Sequence, residues 1–114
     1  MVVIISTHDF ASKVRSSIEL ISKEVSIKHI ASDYNEGLKI INEKNPEIDA
    51  IIIDASLGGN ILNLLHNYKE ENMLSKTIVI DNIKLGCYNL IESKYQLYNV
   101  IPHNFRIEDL LMYI

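Results

Sequence analysis

The residues with the greatest capacity for chemistry follow short apolar runs, at the points where those runs end. Asp54 directly follows residues 51–53, and Asp81 directly follows residues 78–80. A carboxylate can act as a nucleophile or as a ligand of a hard cation such as Mg²⁺. If the two carboxylates approach each other, their repulsion would make the site sensitive to pH or to cations.

Further polar residues follow other apolar runs: Ser6, Thr7, His8, Asp9 and His103. Imidazole and carboxylate groups together can bind a transition metal. The simpler interpretation is stronger, because Asp9 is a good helix N-cap and both histidines fit solvated loops. We therefore predict no metal site, with Asp9, Asp54 and Asp81 as weak candidates, and no cofactor other than weakly bound Mg²⁺.

The elements that must position these residues alternate between strand and helix patterns, which is typical of a parallel sheet in an α/β fold. Strands are predicted at residues 2–5, 26–31, 50–53, 77–80 and 98–101. Helices are predicted at residues 10–23, 34–44 and 83–93. Two more are predicted to begin near residue 60 and near residue 104 or 105. Right-handed crossovers would place helices on both faces of the sheet, giving a doubly wound fold. In such folds, ligands bind beyond the carboxyl ends of the strands, where the polar residues above lie.

Local patterns add detail to these elements. The first helix should bury a stripe of Phe10, Val14, Ile18 and Ile21, while Asp33 and Glu36 have the spacing of a capping box for the second helix. The third helix should bury Ile61, Leu64, Leu65 and Tyr68. The second strand carries Lys28 and His29, which favours a position at the edge of the sheet.

Composition excludes several classes of protein. The chain has 114 residues, which fits a single domain at 1–114, and a net charge of −4 without a basic cluster, which argues against direct binding of nucleic acid. Cys87 is the only cysteine, so no disulfide forms within the chain. The sequence shows no signal peptide, membrane span, P-loop or GxGxxG pattern, so we expect a cytoplasmic protein. No convincing nucleophile–base pair points to an enzyme.

The order of elements, with Asp54 at the end of the third strand, resembles the receiver domain of two-component response regulators over essentially the whole chain. Tyr98 matches the aromatic switch residue of that family, and residues 105–111 (FRIEDLL) resemble the Phe-x-x-Glu-Glu-Leu-Leu opening of its last helix. The resemblance implies a flavodoxin-like (βα)5 fold with strand order 2-1-3-4-5. It also implies that a histidine kinase transfers a phosphoryl group to Asp54, and that the chain serves transcription regulation as part of a longer regulator.

The sequence departs from the family's pattern where the phosphoryl chemistry resides. Ser6 and Thr7 fall where the family has an acidic pair that holds Mg²⁺, Asp81 falls where it has a Ser or Thr, and Ile101 falls where it has a Lys. Phosphoryl transfer to a carboxylate depends on neutralising negative charge, so these changes make phosphorylation of Asp54 inefficient.

The sequence therefore predicts a degenerate receiver, or pseudo-receiver, that acts through protein–protein interaction independent of phosphorylation. The predicted interface for a homodimer or another protein is formed by the helix at 83–93, the fifth strand and the last helix. Its candidate residues are Leu97, Tyr98, Met112 and Tyr113. Two alternatives stay open: a working phosphoacceptor at Asp54, and a small flavodoxin-like module that binds a ligand or a cation.

Overall fold

The computed structural model of the chain describes residues 1–22, 25–57, 61–81, 99–102 and 106–111. The strands are β1 (Val2–Ile5), β2 (Ile27–Ala31), β3 (Ala50–Asp54), β4 (Thr77–Asp81) and β5 (Asn99–Pro102). The helices are α1 (His8–Ile21), α2 (Tyr34–Lys44), α3 (Ile61–His66) and α4 (Ile107–Leu111), with 3₁₀ turns at Asn45–Glu47 and Glu71–Lys76.

All the described strand pairs are parallel. β1 lies between β2 and β3, β4 pairs with the other side of β3, and β5 pairs with β4. From β1 to β4, each strand is followed by a helix before the next strand begins, which is the kind of connection that parallel pairing requires. The predicted α/β class with a parallel sheet is therefore confirmed.

Hydrophobic residues cover both faces of the sheet. Alternate residues of one strand point to opposite faces, so Ile51 and Ile53 join one core cluster while Ala50 and Ile52 join the other. The first cluster contains buried residues of α2 and α3, and the second contains buried residues of α1 and α4. This two-sided burial explains why β1 and β3 are continuous apolar runs without polar alternation before their ends.

Helix α2 begins where its capping signal predicts. The Asp33 side chain accepts a hydrogen bond from the backbone N of Glu36 at 2.8 Å, which satisfies one of the free donors of the first turn. The Glu36 carboxylate in turn accepts a hydrogen bond from the backbone N of Ser32 at 3.4 Å. In a capping box the donor would be the next residue, the N-cap Asp33. The helix has the predicted bounds, and Ile41 is buried while Leu38 packs at the margin of the core.

Two predictions for α1 are wrong. Thr7, rather than Asp9, is the N-cap, because its Oγ1 accepts from the N of Phe10 at 3.3 Å and Asp9 lies in the first turn. Ile21 is 56% exposed instead of buried. A helix of 14 residues is about 21 Å long, whereas a strand of four residues spans only about 13 Å, so the last turn of α1 extends past the sheet. Ala11, Val14 and Ile18 form the buried face instead.

Candidate functional site

The register of β1 against β3 brings Ser6 beside Asp54. Ile4 pairs with Ile52, and Ile5 pairs with Ile53. The residues that follow, Ser6 after β1 and Asp54 at the end of β3, therefore lie side by side at the same edge of the sheet. Both side chains are buried, with 1% of Ser6 and 3% of Asp54 exposed. Two polar residues that are 48 positions apart are thus joined at the carboxyl ends of the central strands.

Three neutral donors bind the Asp54 carboxylate. Ser6 Oγ donates to Oδ2 at 3.1 Å, while the backbone N and the Oγ of Ser56 donate to Oδ1 at 2.9 and 2.6 Å. The bond from the N of Ser56 closes an Asx turn, in which an aspartate accepts from the backbone two residues ahead. Asp54 therefore fixes the turn that leaves β3, in addition to ending the strand.

The backbone carbonyl of Asp54 is also bound. The buried Tyr34 hydroxyl donates to it at 2.8 Å, and the N of Leu57 approaches it at 3.5 Å to close the turn. Tyr34 is the first residue of α2, so this bond connects the beginning of that helix to the end of β3. Four parts of the fold meet at Asp54: the ends of β1 and β3, the turn at 54–57 and the start of α2.

No positively charged group among the described residues forms an ion pair with Asp54. The ion pairs among the described residues join other groups, such as Arg15 with Glu19 and Arg106 with Glu108, and none includes Asp54. Within the same described ranges, no cluster of three or more His, Cys, Asp or Glu side chains could hold a metal ion. The donors that the structure describes around the carboxylate are neutral hydroxyl and amide groups.

Thr7 lies outside the candidate site, whereas Ile101 lies at the same height along the strands as Asp54. Thr7 is exposed and caps α1, so it does not join Ser6 in a pair of ligands. Asp54 pairs with Ile80 on β4, and Ile80 pairs with Ile101 on β5. Ile101 therefore lies two strands from Asp54, about 10 Å across the sheet, and is buried with the α1 core cluster.

The other predicted site residues are tested only in part. Asp81 ends β4, where its backbone pairs with Pro102, and contact between its side chain and Asp54 stays a prediction. His8 and Asp9 are exposed in the first turn of α1. The remaining residues lie outside the described part of the chain: Leu97, Tyr98, His103, Met112 and Tyr113.

Sequence reasoning missed two residues that bind Asp54. Ser56 could have been found, because Asp-x-Ser after a strand is a common Asx-turn pattern. Tyr34 had no local signal, since its partner is 20 residues away and the bond depends on how α2 packs against the sheet.

A second buried polar pair lies at the opposite edge of the sheet, where β4 begins. Thr77 Oγ1 donates to the carbonyl of Met73 at 2.9 Å, so the Tyr68 hydroxyl must donate in the 3.1 Å bond between Tyr68 and Thr77. Burial raises the pKa of Tyr68 far above its ordinary value. This pair anchors the segment before β4, and it is far from Asp54 along the strand.

No protein-family model matches the sequence, and no curated protein matches it either. Among the helices in the described ranges, none is long and apolar enough to cross a membrane. Function must therefore be argued from the site itself.

Proposed function

We propose that the chain is a receiver-like domain with a flavodoxin-like, doubly wound (βα)5 fold, which binds protein partners in signal transduction without a phosphoryl switch. The sheet order β2-β1-β3-β4-β5 and the helices on both faces support this fold. In open α/β sheets of this order, function resides beyond the carboxyl ends of the strands, and Asp54 lies there.

One observation carries the functional part of the proposal. The Asp54 carboxylate is buried, and the chain's own serines occupy both of its oxygens. A phosphoryl group carries a charge of about −1.5 to −2, and adding it here would break these bonds and place more negative charge in a buried site. The hydrogen bonds therefore stabilise Asp54 as it is, which is the opposite of a poised phosphoacceptor.

The described residues around Asp54 also lack the means to neutralise a phosphoryl group. Phosphoryl transfer is catalysed mainly by cations that offset the charge of the transferring group. Ser6 offers Mg²⁺ only a neutral oxygen that already donates to Asp54, and Ile101 at the level of the site has no charge. Each missing electrostatic contact of this kind costs about 3 to 4 kcal/mol of transition-state stabilisation, so their combined loss would make the reaction very slow.

An amide NMR titration tests this function. The chain is titrated with Mg²⁺, and then with Mg²⁺ plus beryllofluoride, which mimics a phosphorylated aspartate. We expect no saturable shifts around Asp54 at millimolar Mg²⁺ and no response to beryllofluoride. Asp54→Asn is the matched control, because it retains the shape of the side chain without its charge.

The opposite result would identify one of two other functions. Saturable shifts that appear only with beryllofluoride and are lost in Asp54→Asn would contradict the proposal and favour a working phosphoacceptor. Saturable shifts with the cation alone would contradict it in favour of a cation-binding module.

We propose self-association as the form that protein binding takes, through the predicted helix at 83–93, β5 and the last helix. The resemblance to receivers supports this face, and its candidate apolar residues include Leu97 and Tyr113. Sedimentation velocity over a wide concentration range should show a dimer. Leu97→Asp should return the protein to a monomer, while Leu20→Lys, at a position 86% exposed on α1, should leave the dimer unchanged. A wild-type protein that stays monomeric at high concentration would rule out this interface between copies.

A further inference from the structure

We infer that α2 is coupled to Asp54 and carries any change at that carboxylate to the protein surface. Helix α2 is held at two places that lie one helical turn apart. Tyr34 binds Asp54 itself, and Gly37 lies against Ile5, the residue before Ser6. A helix held at two points on one face moves as a unit when those points move, since packed interiors transmit displacement instead of absorbing it. This inference rests on the proposed function, because it concerns how the same site reaches a partner.

The first contact is the hydrogen bond from the Tyr34 hydroxyl to the Asp54 carbonyl, at 2.8 Å. The ring is almost fully buried, with 7% exposed, and its backbone is fixed by the Asp33 cap of α2. Because the same Asp54 residue binds Ser56 through its carboxylate, a rearranged turn at 54–57 would displace the carbonyl that Tyr34 binds. The Tyr34 bond thus links the turn to the first residue of α2.

The second contact runs through β1. Gly37 lies so close to β1 that a methyl group at its position would approach Cγ1 of Ile5 to 2.7 Å. Ile5 is fully buried, and the next residue, Ser6, donates to the Asp54 carboxylate. A change in the bond between Ser6 and Asp54 would therefore reach α2 through a contact that has no free space.

The other nearby helix is joined to the site less firmly. Helix α1 begins two residues after Ser6, but Thr7 between them is exposed and its hydroxyl caps the helix instead of binding the site. We therefore expect a change at Asp54 to affect only the first turn of α1. In α2 it should reach residues 38–44, whose solvent-facing side chains include Lys39 and Glu43.

Amide NMR spectra of the wild-type chain and of five variants, three single and two double, test the coupling. Asp54→Asn changes the site without a phosphoryl group, a cation or a partner, and Tyr34→Phe removes only the hydroxyl. The measured quantity is the change in amide shifts of residues 38–44 that Asp54→Asn causes, with and without Tyr34→Phe. Tyr68→Phe is the matched control, because it removes an equally buried tyrosine hydroxyl that binds Thr77 at the other edge of the sheet.

The expected result is a shift change throughout residues 38–44 in Asp54→Asn that falls to less than half when Phe replaces Tyr34. The same change should be retained in full when Phe replaces Tyr68. Equal shift changes with and without the Tyr34 hydroxyl, or no change beyond residue 37, would overturn the inference. If Asp54→Asn does not fold, Ser56→Ala perturbs the same carboxylate and must give the same pattern.

Failure of this inference is distinguishable from failure of the proposed function. A response to beryllofluoride would contradict the proposed function and leave the coupling intact. Unresponsive α2 amides would contradict the coupling and leave the proposed function intact.

Discussion

Replacing Ser6 by alanine should destabilise the fold far more than replacing Ser56, although both hydroxyls donate to the same carboxylate. Ser6 is buried and gives Oδ2 of Asp54 its donor, whereas Ser56 is exposed and shares Oδ1 with its own backbone N–H. In Ser6→Ala, one oxygen of a buried carboxylate would lose its partner. In Ser56→Ala, the backbone bond remains and water can replace the hydroxyl.

The expected magnitudes follow from the charge of the acceptor. Hydrogen bonds to charged groups contribute about 1.5 to 3 kcal/mol, so Ser6→Ala should lower the free energy of unfolding by about that amount. Ser56→Ala should cost less than about 1 kcal/mol, because the lost bond is replaced by one to water. In Asp54→Asn the single amide oxygen must still accept from the backbone N of Ser56, so the uncharged Nδ2 faces Ser6 and donates to its hydroxyl. In that background Ser6→Ala should cost only about 0.5 to 1.5 kcal/mol, as for a hydrogen bond between neutral groups.

Urea denaturation, followed by circular dichroism, measures these differences. A chain of 114 residues is short enough to unfold in one cooperative step, so the midpoints can be converted into free energies. The four proteins needed for the cycle are the wild type, Ser6→Ala, Asp54→Asn and the double variant. A non-additive result isolates the interaction between the Ser6 hydroxyl and the charge of Asp54.

Two results would refute this reasoning. If Ser6→Ala and Ser56→Ala cost the same, the burial of Ser6 does not determine the strength of its bond. If the cost of Ser6→Ala is unchanged in Asp54→Asn, the hydroxyl stabilises the fold by some contact other than the one with the carboxylate.

Three further predictions concern other parts of the fold. Gly37→Ala should lower the free energy of unfolding by about 1 to 2 kcal/mol, because overpacking against the buried Ile5 outweighs the better helix propensity of alanine. A gain in stability would show that α2 can move away from β1. The raised pKa of Tyr68 keeps its phenol protonated in the folded state, so its contribution is fully present below about pH 10 and is lost above it, at up to about 1.4 kcal/mol per pH unit. Urea denaturation between about pH 9 and 11, the range in which an ordinary tyrosine titrates, should show this loss in the wild type and not in Tyr68→Phe. Equal losses in both proteins would contradict the assignment. Leu20→Lys should change the midpoint of thermal unfolding very little, because Leu20 is 86% exposed, and a large loss would mean that another surface covers it.

Much of the fold could be predicted because its signals are local. The β-branched runs at Val2–Ile5 and Ala50–Asp54 specify strands that are covered on both faces, and Asp33 with Glu36 specifies the start of α2. The start of α1 could not be predicted in the same way. Thr7 and Asp9 are both good N-caps, and the choice depends on where the chain leaves β1 and turns back over the sheet.

The sequence by itself determined that a carboxylate ends the third strand, because the apolar run before Asp54 fixes the position of that strand. Only the tertiary structure decided what the carboxylate does. Ser6 reaches it because β1 and β3 pair in parallel, and Tyr34 reaches its carbonyl because Gly37 lets α2 approach β1 closely. The partners in these two hydrogen bonds are separated by 48 and 20 positions in the sequence. No sequence pattern predicts such pairs, since they depend on strand register and helix packing.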